Sequence, residues 1–352
     1  MHSDVLIIGQ GISGTMLGWF LQKEGISFRV LDERRENAPS QVAGGIINPV
    51  TGRKYHYSWM IETIMPFAVK TYGELGRFLD CELIRQKDAI EFFPNVAMRD
   101  AFIDRMAEND TYLSSYPDQN HFNQYFHYAH GCGLIRPAYV ADLQLTIERW
   151  GRYLEGEGRL HADRFAWEHL ELRPEGVRYR EFSADKIIFC DGIASLQHPI
   201  FAALPFAPSK GEALLIEAPE LTNEHIFKRG MLLAPLSAKG CFWVGSSYQW
   251  KYEHAEPTEA FIKGMKAHLD DWMKVPYTIT AHKAALRPST LERRPFVGLH
   301  PHFPAAGLLN GMGTKGTSLA PFFAQELARH LAGGAPITPE ADVARFRKIL
   351  AR

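Results

Sequence analysis

The chain has 352 residues, of which 46% are hydrophobic and 22% charged, a composition that excludes a disordered chain and corresponds to roughly two domains. Lysine and arginine number 39 against 40 for aspartate and glutamate, so the charge balance argues against a nucleic acid as the main partner. The four cysteines form no CxxC motif, which favours a reducing compartment. Because no apolar run is long enough for a membrane span and the N-terminus does not resemble a signal peptide, we expect a cytoplasmic protein.

The first thirty or so residues predict a strand, a helix and a second strand. Residues 5–8 (VLII) form an apolar, β-branched run with the length of a buried parallel strand. Apolar residues recur at helical spacing over 13–24, and Gly25 stands where a helix commonly ends. Residues 28–31 predict the next strand. The stretch 39–58, rich in proline, glycine and asparagine, has the composition of a functional loop.

The middle of the chain is less regular. Helical spacing predicts a helix over 60–79 and another over 138–154, with Pro137 at the start of the second. Residues 83–134 show no regular alternation of strands and helices, whereas 165–190 reads as a series of strands around a turn.

The last part of the chain returns to the pattern of the first. Three strand runs, ALLIE, MLLAP and CFWVGSS, lie within 213–250, and a helix is predicted over 258–273. A strand over 306–309 then meets a second glycine turn, GMGTKG (311–316), which precedes a helix over 317–331. This order predicts an α/β nucleotide-binding domain assembled from separated pieces, with another sheet domain inserted between them.

The first glycine turn, GQGISG, has the spacing G-x-G-x-x-G at Gly9, Gly11 and Gly14. The first glycine permits a tight turn, the second lets a pyrophosphate approach the backbone, and the third allows close packing of helix and strand. The spacing alone is a weak signal, and its alternative interpretation is a purely structural turn. Its position between a predicted strand and a predicted helix favours dinucleotide binding.

Two further features strengthen this prediction. The helix that starts near Ile12 and Ser13 offers free N–H groups and the positive end of its dipole to the phosphates. The acidic Asp32 ends the second predicted strand, where a carboxylate commonly binds a ribose hydroxyl.

Four later segments resemble the superfamily of D-amino-acid oxidase and glycine oxidase. VAGGIINP (42–49) resembles its flavin-facing loop, and IIFCDGIAS (187–195) resembles its strand and turn before an Ala-Ser pair. GLIRPAYVADL (133–143) is similar to another family segment. ALRPSTLERRPFVG together with GLLNGMGTKGTSLAP (285–298 and 307–321) resembles the C-terminal signature. The resemblance runs through nearly the whole chain.

The resemblance implies an α/β protein with a Rossmann-like FAD-binding domain and an inserted mixed-sheet (α+β) substrate domain, as in glycine oxidase. We expect the FAD-binding domain to comprise 1–80, 136–207 and 286–352, and the substrate domain 81–135 and 208–285. The residues expected to contact FAD are Gly9, Gly11, Ile12, Ser13, Gly14, Asp32, Ala43, Gly44, Gly45, Ile46, Cys190, Asp191, Gly192, Gly311, Gly313, Thr314, Lys315, Gly316 and Thr317.

The second glycine turn has an expected electrostatic role. Backbone N–H groups from Lys315 to Thr317 are placed to stabilise the negative charge that reduced flavin gathers. Lys315 adds a positive charge at the same place, unless it is an ordinary solvated lysine. Because no cysteine follows Cys241, where some relatives attach flavin covalently, we expect noncovalent FAD.

Three residues are expected at the substrate. Arg287, in the LRP segment, matches the arginine that pairs with the substrate carboxylate in amino-acid-oxidising relatives; the alternative is a salt bridge at the domain junction. Tyr248 is expected to line the pocket, or else to be a sheet aromatic. Lys54, in GRKYHY (52–57), directly follows the flavin-facing loop, so we expect this segment to border the active site.

The substrate itself is left open by three departures from the glycine oxidase pattern. Thr314 replaces a second arginine of the glycine turn, Leu232 replaces a strand tyrosine, and Tyr248 stands where a Thr-Met pattern is usual. A cluster of His121, His127, His130 and Cys132 lacks metal-ligand spacing, and we expect no metal.

The resemblance implies oxidation of a C–N bond in a small amine or amino acid, by hydride transfer to flavin N5 and hydrolysis of the resulting imine. The electron acceptor is open between oxygen and a quinone. One alternative is a flavin domain like that of the bifunctional tRNA wobble-uridine modification enzyme, with which the architecture is shared. Another is a noncatalytic FAD-binding redox module.

Overall fold

Two large sheets and the helices around them form the structure, a computed structural model that describes residues 1–108 and 111–351. The strands are β1 (His2–Ile8), β2 (Phe28–Asp32), β3 (Ile46–Ile47), β4 (Val50–Thr51), β5 (His56–Tyr57), β6 (Ile84–Gln86), β7 (Ala89–Phe92), β8 (Leu113–Ser115), β9 (Cys132–Ile135), β10 (Tyr139–Ala141), β11 (Leu160–Ala162), β12 (Leu170–Arg173), β13 (Gly176–Tyr179), β14 (Phe182–Phe189), β15 (Ser209–Glu217), β16 (Ile226–Arg229), β17 (Met231–Pro235), β18 (Cys241–Gly245), β19 (Thr278–Arg287), β20 (Phe296–Leu299) and β21 (Ala306–Asn310).

The helices are α1 (Ile12–Lys23), α2 (Pro39–Val42), α3 (Ile61–Phe78), α4 (Val96–Glu108), α5 (Leu143–Gly156), α6 (Glu259–Trp272) and α7 (Gly316–Gly333). Short 3₁₀ helices cover His121–Gln124, Trp167–His169, Gly192–Gln197 and Val343–Phe346. Among the residues that the structure describes, no helix combines the length and the apolar character that crossing a bilayer requires.

The first large sheet is built around five parallel strands in the order β11-β2-β1-β14-β21. Its strands are apolar on both faces: in β1 the run Val5–Ile8 is at most 3% exposed, as parallel strands covered by helices require. α1 and α7 pack against each other, and β20 and the β12–β13 hairpin add antiparallel pairs. This arrangement confirms the predicted Rossmann-like α/β architecture.

The second large sheet has the order β19-β15-β18-β17-β16-β7-β9-β8 and is antiparallel except between β16 and β7. The alternation of side chains in β15 divides its two faces. Leu214 and Ile216 are fully buried in a core that includes Leu269 and Trp272 of α6. Gly211 and Ala213, on the opposite face, line a cavity next to the parallel sheet. One face thus supports the fold and the other is free to form a site.

The structure corrects several predicted elements. The helix expected over 138–154 begins only at Leu143, because residues 139–141 form β10 between β3 and β6, and the Asp142 side chain caps the helix by accepting a 2.9 Å bond from the backbone of Leu145. Residues 83–134, expected to be irregular, contain α4 and several short strands. β16 was not predicted at all. The domain boundaries stay a prediction.

Candidate active site

A cavity of about 1700 Å³ lies between the carboxyl ends of the parallel strands and the free face of the second sheet. This volume exceeds that of a typical small-ligand pocket, so the cavity has room for a dinucleotide together with a substrate. Most of the residues predicted to bind FAD line it, as does Arg287. Among the predicted site residues, Gly14, Gly311, Tyr248 and Lys54 are not part of its lining.

The glycines of the first turn have two different roles: two are required by backbone packing, and one faces the cavity. A Cβ atom on Gly9 would lie 2.7 Å from the carbonyl oxygen of Cys190, and one on Gly14 would lie 1.9 Å from that of Gly9. At Gly11, among the described residues other than its chain neighbours, such a Cβ would have only the Ser40 hydroxyl oxygen within 4 Å, at 3.3 Å. The space beside Gly11 is therefore open toward a ligand.

The polar groups around this turn suit an anionic nucleotide. α1 has a glycine at its N-cap and no acidic residue in its first turn, so no negative charge on these residues compensates its dipole there. One of its first N–H groups, that of Ile12, donates a 3.1 Å bond to Ser40 Oγ. The Asp32 carboxylate accepts one 2.8 Å bond from each of two backbone N–H groups, those of Gln10 and Arg34. Since each carboxylate oxygen has a further lone pair, Asp32 is able to accept a ribose hydroxyl as well.

The loop from Ala43 to Ile46 is fixed from the second sheet by Trp243, which sequence reasoning missed. The Trp243 indole donates a 2.8 Å bond to the carbonyl of Val42. A Cβ on Gly44 would lie 2.6 Å from the indole ring, so the glycine is needed for this contact. Gly45 has a φ of 65°, and a Cβ there would lie 1.8 Å from the carbonyl oxygen of Ala141. The loop is thus held from both sides.

A hydrogen-bond network joins the ends of β14 and β21 at the cavity. Asp191 accepts a 2.5 Å bond from the Ser195 hydroxyl and contacts His198 Nε2 at 2.7 Å. The Asn310 amide donates 2.8 Å bonds to Ser195 Oγ and to the carbonyl of Gly192. Ser195, His198 and Asn310 were not predicted, because a single sequence gives no signal that these distant positions meet.

Lys315 is a partly buried cation at the start of α7. Its ammonium donates a 2.6 Å bond to Ser58 Oγ and forms no ion pair with any acidic residue that the structure describes. Burial lowers the pKa of Lys315 to about 8. The alternative expectation of a freely solvated lysine is therefore wrong.

Arg287 is held at the end of β19 by neutral groups. Its guanidinium donates a 2.8 Å bond to Ser246 Oγ and a 3.1 Å bond to the carbonyl of Ser247. Gly211 makes room for it, since a Cβ there would lie 1.8 Å from Nη2. Burial lowers the pKa of Arg287, and within the described ranges no carboxylate lies within 4 Å of it. The alternative of a salt bridge at a domain junction is not realised there.

Tyr248 and Lys54 are not among the residues that line the cavity. The Tyr248 ring is 46% exposed, stands 5.7 Å from the Arg287 guanidinium and packs against the exposed Trp250. Lys54 is exposed on the turn between β4 and β5, which points it outward, whereas the following Tyr55 is fully buried. The expectation that Lys54 borders the active site receives no support from this geometry.

Comparisons with known proteins agree with the architecture. A family model described as "FAD dependent oxidoreductase" matches residues 4–330. The chain is 23% identical to a glycine oxidase of Pseudomonas aeruginosa over 98% of this chain and 99% of that protein. Among solved structures, it is similar to glycine oxidase from Geobacillus kaustophilus (TM-score 0.80, 15% identity, 98% of each chain). It is also similar to iminodiacetate oxidase from a Chelativorans species (TM-score 0.76, 18% identity, 94% of this chain and 96% of that one).

The family match extends over both large sheets and both glycine turns. It confirms the predictions that the protein is an enzyme, that its cofactor is FAD and that its fold is of the glycine oxidase type. The chain belongs to the family of FAD-dependent oxidoreductases.

Proposed function

We propose that this enzyme oxidises a C–N bond of a small amino acid or related amine that carries a carboxylate. The observation that carries the proposal is Arg287, a partly buried guanidinium on the cavity wall whose described contacts are all neutral. A buried charge without a partner is costly, so the site favours an anionic ligand group there. The similarity to glycine oxidases supports the same class of substrate.

The residues present fit FAD. The open space beside Gly11 and the N-terminus of α1 would receive the pyrophosphate, and Asp32 would bind the ribose. Ala43–Ile46 and residues 313–317 would border the flavin ring. When bound, FAD supplies the hydride acceptor for oxidation of the carbon beside the substrate nitrogen.

The chain's own residues then have three tasks. Arg287 binds the substrate carboxylate in a two-pronged geometry and so orients the carbon–nitrogen bond. Lys315 holds a positive charge near the second glycine turn. Leu232, Ala213 and Trp243 supply apolar cavity wall that limits the access of water. Water hydrolyses the imine product, and no side-chain base is required if the amine binds in its neutral form.

Replacing Gly11 by valine should abolish FAD retention, because the side chain would occupy the space open to the pyrophosphate. The measurement is flavin absorbance per folded chain after purification. Gly156→Ala is the control, since a Cβ there meets nothing within 4 Å. Full flavin content in a folded Gly11→Val protein would show that the turn does not hold the cofactor.

Acid precipitation should release FAD into the supernatant. Of the four cysteines, all within the described residues, only Cys190 lines the cavity, and burial raises the pKa of its thiol. Its sulfur is therefore protonated and a poor nucleophile toward flavin. Flavin that stays with the precipitated protein would contradict the noncovalent assignment.

Lys315→Met should make the bound flavin harder to reduce at pH 7, because protonated Lys315 favours the negatively charged reduced form. The midpoint potential of the holoenzyme is the measurement. Since the pKa of Lys315 is about 8, the wild-type protein loses this charge as the pH rises above that value. The difference between the two proteins should therefore narrow at higher pH; a difference that does not depend on pH would point to another cause.

Arg287→Ala should lower kcat/KM for an amino acid by roughly 30-fold or more, since truncating one partner of a buried charge pair costs about 2–5 kcal/mol. Arg287→Lys should recover only part of the loss, because an ammonium keeps the charge without the two-pronged geometry. The measurement compares an amino acid with its decarboxylated amine. Wild type should prefer the acid, and Arg287→Ala should lose that preference.

The control for this comparison is Arg329→Ala, which removes an exposed arginine of α7 and should leave the preference intact. An unchanged preference for the acid in Arg287→Ala would mean that the carboxylate binds elsewhere. Anaerobic bleaching of the flavin by the substrate also distinguishes an enzyme of this class from a flavoprotein that only binds the cofactor.

A further inference from the structure

A buried charged cluster is centred in β15 and β19 of the second sheet, and two of its residues, Glu212 and His282, also line the cavity. The Glu212 carboxylate, 0% exposed, accepts bonds from the backbone N–H of Thr258 at 2.7 Å, from its hydroxyl at 2.9 Å and from His282 Nε2 at 3.0 Å. Lys210 Nζ lies 3.4 Å from the same carboxylate and is 1% exposed. We call these four residues the Glu212 cluster. Its carboxylate is fully partnered, as a buried charge needs to be.

The segment 246–258, which runs from β18 to α6, is fastened to this cluster at its beginning. The backbone of Glu212 donates a 2.9 Å bond to Ser247 Oγ and accepts a 3.1 Å bond from the Ser247 N–H. Two residues further on, Gln249 exchanges backbone bonds of 2.8 and 3.0 Å with Lys210.

The end of the segment is fastened to the same two residues of β15. Lys210 Nζ donates to the carbonyl of Glu256, and the Glu212 carboxylate holds Thr258, which is the N-cap of α6. Between these attachments the segment projects outward, with Tyr248 and Trp250 about half exposed. The segment is therefore held at its beginning by the backbone of Glu212 and Lys210 and at its end by the side chains of the same two residues.

Ser247 connects the two faces of the sheet. Its hydroxyl and N–H contact Glu212, and its carbonyl oxygen accepts the 3.1 Å bond from Arg287. The neighbouring Ser246 hydroxyl accepts the other bond of the guanidinium, at 2.8 Å. Both described acceptors of Arg287 thus belong to the segment that Glu212 holds.

We propose that Glu212 is a positioning residue: it fixes segment 246–258 so that Ser246 and Ser247 hold the Arg287 guanidinium in the orientation that receives a substrate carboxylate. The proposal rests on the function proposed above for Arg287. A guanidinium has five N–H donors in a rigid fork. Its two bonds to the segment therefore determine where the remaining donors point. When the segment shifts, the charge stays in the cavity, but the two-pronged geometry is lost.

Glu212→Gln tests this inference in the FAD-loaded enzyme. The variant keeps the size of the side chain and removes its charge. We expect kcat/KM for an amino acid to fall roughly tenfold, equivalent to about 1.4 kcal/mol, mainly through a higher KM. The decarboxylated amine should be little affected, and FAD content should be unchanged. In an Arg287→Ala background the same substitution should have no further effect, because the two residues act as one unit.

Thr258→Val is the second test, for the case that Glu212→Gln leaves Lys210 unpaired and does not fold. It removes the hydroxyl bond to Glu212 together with the 3.3 Å cap bond that the hydroxyl accepts from the N–H of Phe261. It should weaken the preference for the acid in the same direction, while Thr258→Ser, which keeps a hydroxyl for both bonds, should restore it. Glu326→Gln is the matched control. In the native chain Glu326 accepts bonds from the N–H and the hydroxyl of Thr338 at 3.0 and 2.7 Å. This is the same arrangement as that of Glu212 and Thr258, but it lies away from the cavity lining. The Glu326→Gln variant should therefore keep the wild-type preference for the acid.

Equal losses for the acid and the amine, or effects of Glu212→Gln and Arg287→Ala that add, would overturn the inference while leaving the role of Arg287 intact. If Arg287→Ala itself kept the preference for the acid, the carboxylate role of Arg287 would fail, and this inference with it. The two failures are distinguishable, because the single variant Arg287→Ala tests the carboxylate role of Arg287 without any change at Glu212.

Discussion

The structure depends on the close approach of two pieces of backbone at the first glycine turn. Gly14 lies so near the carbonyl of Gly9 that no side chain fits between them, and this contact seats the start of α1 directly on the end of β1. The N–H groups at the start of α1, the Asp32 carboxylate and the network around Asp191 then meet at the same edge of the parallel sheet. The cavity therefore opens beside a turn in which close backbone packing leaves no room for side chains at Gly9 and Gly14.

The cavity is also marked by its charges. Arg287 and Lys315 both line it, and neither forms an ion pair within the described parts of the chain. The fully buried Glu91, Lys210 and Glu212 each have a partner of opposite charge, as in the pairs of Glu91 with Lys228 and of Lys210 with Glu212. Leaving two partly buried cations without acidic partners costs stability. A cavity that holds both is suited to ligands that bring the negative charge with them.

The sequence predicts best those features that are decided by neighbouring residues. Both glycine turns, the strands around them and the helices α1 and α7 follow from short patterns, and the resemblance in the C-terminal signature leads directly to Arg287. The helix that begins at Leu143 was predicted to begin too early. Pro137 and the apolar spacing of 138–154 are typical of a helix, but residues 139–141 pair with strands far away in the chain.

The features that the sequence did not predict depend on contacts between positions far apart in the chain. Trp243 seats the loop at Gly44, Asn310 joins the ends of β14 and β21, and Glu212 holds a segment some forty residues later in the chain. None of these has a local pattern that distinguishes it from an ordinary core or surface residue. Lys54 shows that nearness in sequence is also not sufficient: it closely follows the flavin-facing loop, but it is not among the residues that line the cavity.

The order of strands in the parallel sheet has a consequence for the biosynthesis of the protein. β14 pairs with β1 on one side and with β21 on the other, and α1 packs against α7, so the sheet joins segments that lie far apart in the chain. A ribosome delivers residues 306–333 long after β1 and α1 have emerged. Until then α1 lacks one of its main packing partners and exposes apolar surface. This nascent chain is therefore exposed to aggregation until β21 and α7 have been synthesised, because only then can the parallel sheet and its helix pair be completed.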